Sequence, residues 1–279
     1  MTNPIADPLV EVPDTETESE HVTLTATPDG VATVTINRAA KRNAFNAEVI
    51  SALSQVFETL HAADGVRLVL LTGAGQAFSA GADLEWMKAA VEWSEAENRE
   101  DAMGLATMLK RLHDLPAMTV ALVNGAAMGG GAGLAAACDY AVAVQGAQFS
   151  FSEVKLGLTP ATISPYVVAA IGPRHARALF ASGRVFDAAY AEKIGLVDEV
   201  VVDAAGLKAV ADRIAGEIKL AAPGAIADAK ALVELVAHVP IDHALMEETA
   251  RRIAKRRVSP EGQAGVRAFL DRKKPDWAQ

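Results

Sequence analysis

Two stretches of this chain, "FSAGADLEWM" (78–87) and "AAMGGGAGLAAACD" (126–139), are built around residues too small for side-chain chemistry. What they can offer is backbone. Gly129, Gly130 and Gly131 stand in a row beside alanines, although glycine costs roughly 0.5–1 kcal/mol relative to alanine inside regular structure. One reading is a loop, or a close helix-to-sheet contact that needs small residues. The other is a bare amide aimed at a ligand where a helix begins and its first N–H groups lack internal partners. In the first stretch Asp83 is placed to cap a helix, which leaves the Ala82 amide free to point outwards. Amides of Ala82 and Gly130, if brought together, would form an oxyanion hole, stabilising charge that develops on a carbonyl oxygen.

Other chemistries find little support. The histidines (His21, His61, His113, His175, His238 and His243) form no His-x-x-x-His pair, and Cys138 is the lone cysteine. A protein metal site is therefore not expected. The chain has no Gly-x-Ser-x-Gly elbow and no Gly-x-x-x-x-Gly-Lys-Ser/Thr loop. The run from Gly129 to Gly133 superficially suggests a dinucleotide fingerprint, but the acid required about twenty residues later is not in context. Cys138 lies in "LAAACD" and reads as a buried structural thiol.

The elements that must position the two loops follow from periodicity. "HVTLTATPDGVATVTIN" (21–37) reads as a hairpin turning at Pro28-Asp29-Gly30. A helix is predicted over 47–62, with Ile50, Leu53, Phe57 and Leu60 on one face. The apolar runs 66–73 and 118–125 read as strands covered on both sides, and 139–145 as a third. Helices are predicted near Leu84 and over 97–114. Strand–helix–strand repetition implies parallel pairing with right-handed crossovers. Ligands collect at the carboxyl ends of such strands, where both loops fall (74–83 and 125–131). Beyond Pro165 strands fade. A short helix stopped by Gly195 leads into a β run, then helices near 204–219, 224–237 and 241–257, and a last one opened by Ser259-Pro260.

Composition bounds the rest. The 279 residues, 51% hydrophobic and 22% charged, suffice for a large core. A net charge of −9 without a basic block argues against nucleic acid as partner. "RRIAKRR" (251–257) reads as a solvated or subunit-facing helix. Residues 1–20 are rich in proline and acids and read as a mobile tail. With no signal-peptide pattern and no apolar run of about 18–20 residues, the expectation is a cytoplasmic protein without membrane partners.

Four ordered blocks carry a resemblance: "INRAAKRNAFN" (36–46), "FSAGADLEWM", "VNGAAMGGGAGLAAACD" (123–139) and "SEVKLGLTPATISPYV" (152–167). Together they resemble the crotonase, or enoyl-CoA hydratase/isomerase, superfamily from about residue 21 to the end. The resemblance implies an α/β fold, a spiral of ββα units, over 21–220. It also implies a helical C-terminal oligomerisation region over 221–279, giving a homotrimer or a dimer of trimers. It implies an acyl-CoA thioester as substrate and no cofactor, coenzyme A being part of that substrate. Oxyanion donors would be Ala82 and Gly130. Arg42, Ala44, Ala80, Asp83 and Leu84 would line the coenzyme A site.

Family hydratases carry two glutamates around the added water. One matches Glu153, whose expected role is catalytic. The other position is Gly133, so this chain lacks the second acid. Three activities stay open: hydration of a 2-enoyl-CoA, isomerisation by a single carboxylate, or acyl-CoA binding without turnover. The wording of the blocks is closest to bacterial methylglutaconyl-CoA hydratase-type members, whose substrate carries a second carboxylate. Lys155 and Arg99 are candidate partners for that group.

Overall fold

The computed structural model describes residues 20–278, so the tail expected over 1–20 falls, apart from Glu20, outside the described residues. Strands β1 (Val22–Ala26) and β2 (Val31–Ile36) form the antiparallel hairpin expected around Pro28-Asp29-Gly30. Asn46 then caps α1 (Ala47–Ala62), accepting from the Val49 amide, and the predicted apolar face is buried: Ile50, Leu53, Phe57 and Leu60 all belong to the core.

From here the chain winds in turns, each giving one strand to each of two sheets. The first turn contributes β3 (Leu68–Gly73) and β4 (Ala77–Ser79), then α2 (Leu84–Ala90) and α3 (Glu95–His113). The second contributes β5 (Met118–Val123), β6 (Ala126–Met128) and α4 (Gly130–Ala136). The third contributes β7 (Tyr140–Val144) and β8 (Gln148–Ser150), a 3-10 turn over Glu153–Leu156, and α5 (Ser164–Ser182). Next come β9 (Val185–Asp187), α6 (Ala188–Ile194), β10 (Glu199–Val201) and α7 (Ala204–Ile218). The large sheet runs β1-β2-β3-β5-β7-β10 and the small one β4-β6-β8-β9. Pairing from β2 through β10 in the large sheet is parallel, as expected. This is the ββα spiral.

The strands of the small sheet correct the local reading of the sequence. Residues 77–79 and 126–128 fall in segments read as loops, yet β4 and β6 pair in parallel. Strands this short, made of small residues, cannot show a period of two; they become strands only when neighbouring turns stack.

Alternation along the central strands divides the apolar residues between two layers. Val69, Leu71, Ala121, Val123 and Ala141 face the main core with α1. Leu68, Leu70, Val120, Leu122 and Val142 face the opposite side, which α7 covers with Leu207, Val210, Ala211 and Ile214. That double coverage is why these strands read as continuous apolar runs.

The C-terminal helices α8 (Pro223–Val236), α9 (His243–Val258) and α10 (Pro260–Leu270) appear within a residue or two of their predicted places. None of their side chains is buried. Arg256 ties the three together, bonding Asp228 and the Gly224 carbonyl on α8 and Glu261 on α10. No helix among the described residues is long and apolar enough to cross a membrane.

Candidate active site

The site begins with a strap whose pairing, though not its residues, sequence reasoning missed. Residues 42–45 and 80–83 lie side by side. The Ala80 amide donates to the Arg42 carbonyl (2.9 Å), the Phe45 amide to Gly81 (2.7 Å) and the Asp83 amide to Phe45 (2.7 Å). In this parallel bridge between Phe45 and Ala82, the Ala82 amide donates to no protein acceptor among the described residues. Its direction follows from its neighbours: with Gly81 and Asp83 bonded to Phe45, Ala82 faces away.

Asn43 and Arg38 hold the strap. Asn43, fully buried with φ 56°, donates to the carbonyls of Ala74 (2.9 Å) and Ala77 (2.7 Å) and accepts from the Arg38 amide. The Arg38 guanidinium donates to the Ala44 carbonyl (3.1 Å) and to Asp83 (2.5 Å). Asp83 also caps α2 by accepting from the Glu85 amide (2.8 Å). Burial alone would raise its carboxyl, but Arg38 and Glu85 outweigh that and hold it below the ordinary range. The signal for this network was present in "INRAAKRNAFN", but only the fold brings Arg38 to a residue so distant in the chain.

The expected coenzyme A residues therefore come together: Arg42 and Ala44 on one side of the strap, Ala80, Asp83 and Leu84 on the other. Their backbones are partly engaged, since the Ala44 amide bonds Lys41. The Asp83 carboxylate is spent within the protein, so it places the strap. Arg42 and Leu84 are exposed and available to a ligand.

Gly81 lets the strap meet the end of β6, just before α4. Its φ is +85°, and a Cβ there would stand 2.8 Å from the Met128 carbonyl oxygen. Gly129, φ +49°, lies against Glu153: a Cβ at Gly129 would be 3.0 Å from the carboxylate Oε1. The Gly129 amide donates to the Ser150 carbonyl (2.8 Å), while Gly130 opens α4 with no partner for its own amide among the described residues. So the structure brings Ala82, Gly130 and Glu153 to one place.

Glu153 carries the site's anomaly. Its Oε2 is buried and has no hydrogen-bond partner among the described residues. Burial pushes the carboxyl above its ordinary range, and only its own amide acts in the other direction. An orphaned buried polar atom is costly, and such perturbed acids concentrate at functional sites.

Gly133, where the second acid is absent, is not open space. A Cβ there would stand 2.2 Å from Ile163 Cγ2 and 2.5 Å from Ile163 Cβ. Ile163 is 2% exposed. The place a side chain at 133 would take is filled by the chain's own Ile163. Lys155 and Arg99 are both exposed, and the Lys155 stem lies across Gly183. The residue carrying Cys138 is partly exposed rather than buried, but its thiol reaches the Leu134 carbonyl at 3.6 Å and burial pushes its pKa up. No group of His, Cys, Asp and Glu among the described residues could hold a metal.

A ββα spiral whose turns bring bare amides and a buried carboxylate together defines a crotonase-type enzyme. The chain matches the enoyl-CoA hydratase/isomerase family over residues 26–279 and belongs to it. Among solved structures it is similar to an enoyl-CoA hydratase from Shewanella pealeana, with 37% identity and a TM-score of 0.90, covering 94% of this chain and 97% of that one. Pseudomonas aeruginosa AtuE is 34% identical with a TM-score of 0.89, covering 93% and 100%. The enoyl-CoA hydratase AKT6-1 of Alternaria alternata is 33% identical over 253 residues, which is 90% of this chain and 82% of that protein.

Proposed function

We propose that this enzyme adds water to a 2-enoyl-CoA thioester, with Glu153 as the acid/base group and the amides of Ala82 and Gly130 as the oxyanion hole. The observation that carries the reading is the buried, unpartnered Oε2 of Glu153 beside the helix start whose first amide is free. In this scheme the thioester oxygen takes the negative charge as hydroxide adds at the β-carbon, and the two amides stabilise it. Glu153 accepts the proton that water loses and delivers it to the α-carbon, so one carboxylate closes the cycle. Coenzyme A enters as part of the substrate, and no other cofactor is required. The strap of Arg42, Ala44, Ala80 and Leu84 would receive the coenzyme A portion, with Asp83 holding it in place. A branched or carboxylated acyl group such as methylglutaconyl is the candidate that block wording favours.

Mixing the protein with crotonyl-CoA and with 3-methylglutaconyl-CoA, while following the conjugated enoyl-thioester absorbance, tests this. We expect the absorbance to fall with at least one of them. Retained acyl-CoA binding without any turnover would favour a non-catalytic scaffold. A second reading, isomerisation by a lone carboxylate, draws on Ile163 occupying the second acid's place. With a 3-enoyl-CoA it requires the same absorbance to rise.

A further inference from the structure

We propose that Ile163 is a specificity-determining residue, the apolar wall that limits the acyl group beyond Glu153; the inference rests on the enoyl-CoA reading above. Gly129 and Gly133 are four residues apart at the start of α4, and the Gly133 amide donates to the Gly129 carbonyl (3.0 Å). They therefore share one face, about one 5.4 Å turn apart. The segment between Glu153 and Ile163 brackets that face, with the carboxylate against Gly129 and Ile163 against Gly133.

A thioester whose oxygen lies at Gly130 and whose α-carbon reaches Glu153 must extend its remaining carbons past this turn. The side chain packed on that face one turn beyond Gly129 is Ile163, against Gly133. Ile163 sits where the 3-10 turn and loop after Glu153 enter α5. A β-branched side chain has few alternative rotamers, so it makes a fixed stop. Because Ile163 Cγ2 and Cβ fill the place of any side chain at position 133, the wall depends on Gly133 being glycine.

The test is the selectivity ratio, kcat/KM for a β-branched 2-enoyl-CoA over kcat/KM for crotonyl-CoA, in wild type and Ile163→Ala. One methylene in an apolar pocket is typically worth ~10–200-fold in discrimination, so the ratio should move at least ~10-fold toward the branched substrate. A purely structural role would lower both values by one factor, and an unmoved ratio overturns the inference. Gly133→Ala/Ile163→Ala, which returns a methyl group to the same place, should bring the ratio back toward wild type. If Ile163→Ala does not fold, Ile163→Val, which removes one methylene, should show the same shift at about tenfold or more, and an unmoved ratio there is equally fatal. Should wild type turn over no enoyl-CoA, the reading of the site fails and this inference fails with it; a moving substrate with a fixed ratio defeats this inference alone.

Discussion

Glu153 combines two costs that a structural acid would avoid: partial burial and an unpartnered oxygen. Glu153→Gln keeps the shape and cannot shuttle a proton. It should lower turnover by ~10²–10⁴-fold with acyl-CoA binding nearly intact; a loss under tenfold would remove Glu153 from the chemistry. The same variant has a stability signature. A carboxyl whose folded pKa is raised contributes stability that is fully present below its unfolded pKa and lost as pH rises through the folded pKa. At neutral pH the Glu153 carboxyl therefore destabilises the fold relative to acid pH. Thermal melts should place Tm of Glu153→Gln above wild type at about pH 7, with the gain vanishing near about pH 4. Equal gains at both would contradict a buried, raised carboxyl. Residue 133 belongs to this scale too. Gly133→Glu would force a carboxylate into the space of Ile163, so it should fail to raise crotonyl-CoA hydration and should lower Tm through overpacking.

At the scale of elements, the oxyanion hole depends on how the strap is bonded. Phe45 donates to Gly81 and accepts from Asp83, the residues either side of Ala82, so a proline at 82 removes no internal bond. Gly81, already at φ +85°, is the residue whose freedom would have to accommodate the ring. Ala82→Pro is therefore expected to fold and to lose about 2.7–4 kcal/mol of transition-state stabilisation, while Ala82→Ser retains the amide and most of the rate. Wild-type turnover in a folded Ala82→Pro would show that the donor lies elsewhere. The Arg38–Asp83 pair, both side chains largely out of water, keeps that strap against the start of α2.

For the whole molecule, the open question is what the C-terminal helices cover. Ile241 between α8 and α9 is 87% exposed, and Phe269 and Leu270 on α10 are 82% and 72% exposed. Large apolar side chains left this exposed on the C-terminal helices call for cover, and closed symmetry is the usual way to provide it. We expect sedimentation at micromolar protein to show a symmetric oligomer built from trimers, and Phe269→Glu to shift it toward monomer. A monomer independent of concentration would show that these helices serve another purpose.

How much of this was legible without the fold differs by physical cause. Long, strongly periodic elements were readable: α1 through its apolar face, β3 and β5 through unbroken apolar runs, α10 through Ser259-Pro260. The glycine run and the Asp83 cap could be read because glycine and capping residues have local meanings. The quoted blocks pointed to Ala82, Gly130 and Glu153. Three things needed tertiary structure. The short strands β4, β6 and β8 exist only by stacking. The Arg38–Asp83 pair and the Asn43 hub join residues far apart in sequence. The occupant of the space beside Gly133 was invisible, because a glycine records that a side chain is absent and not what has moved in. Sequence determined which groups this protein has for chemistry; packing decided that Glu153 Oε2 is left unpartnered among the described residues and that Ile163 stands against Gly133, since burial and contact belong to the folded chain alone.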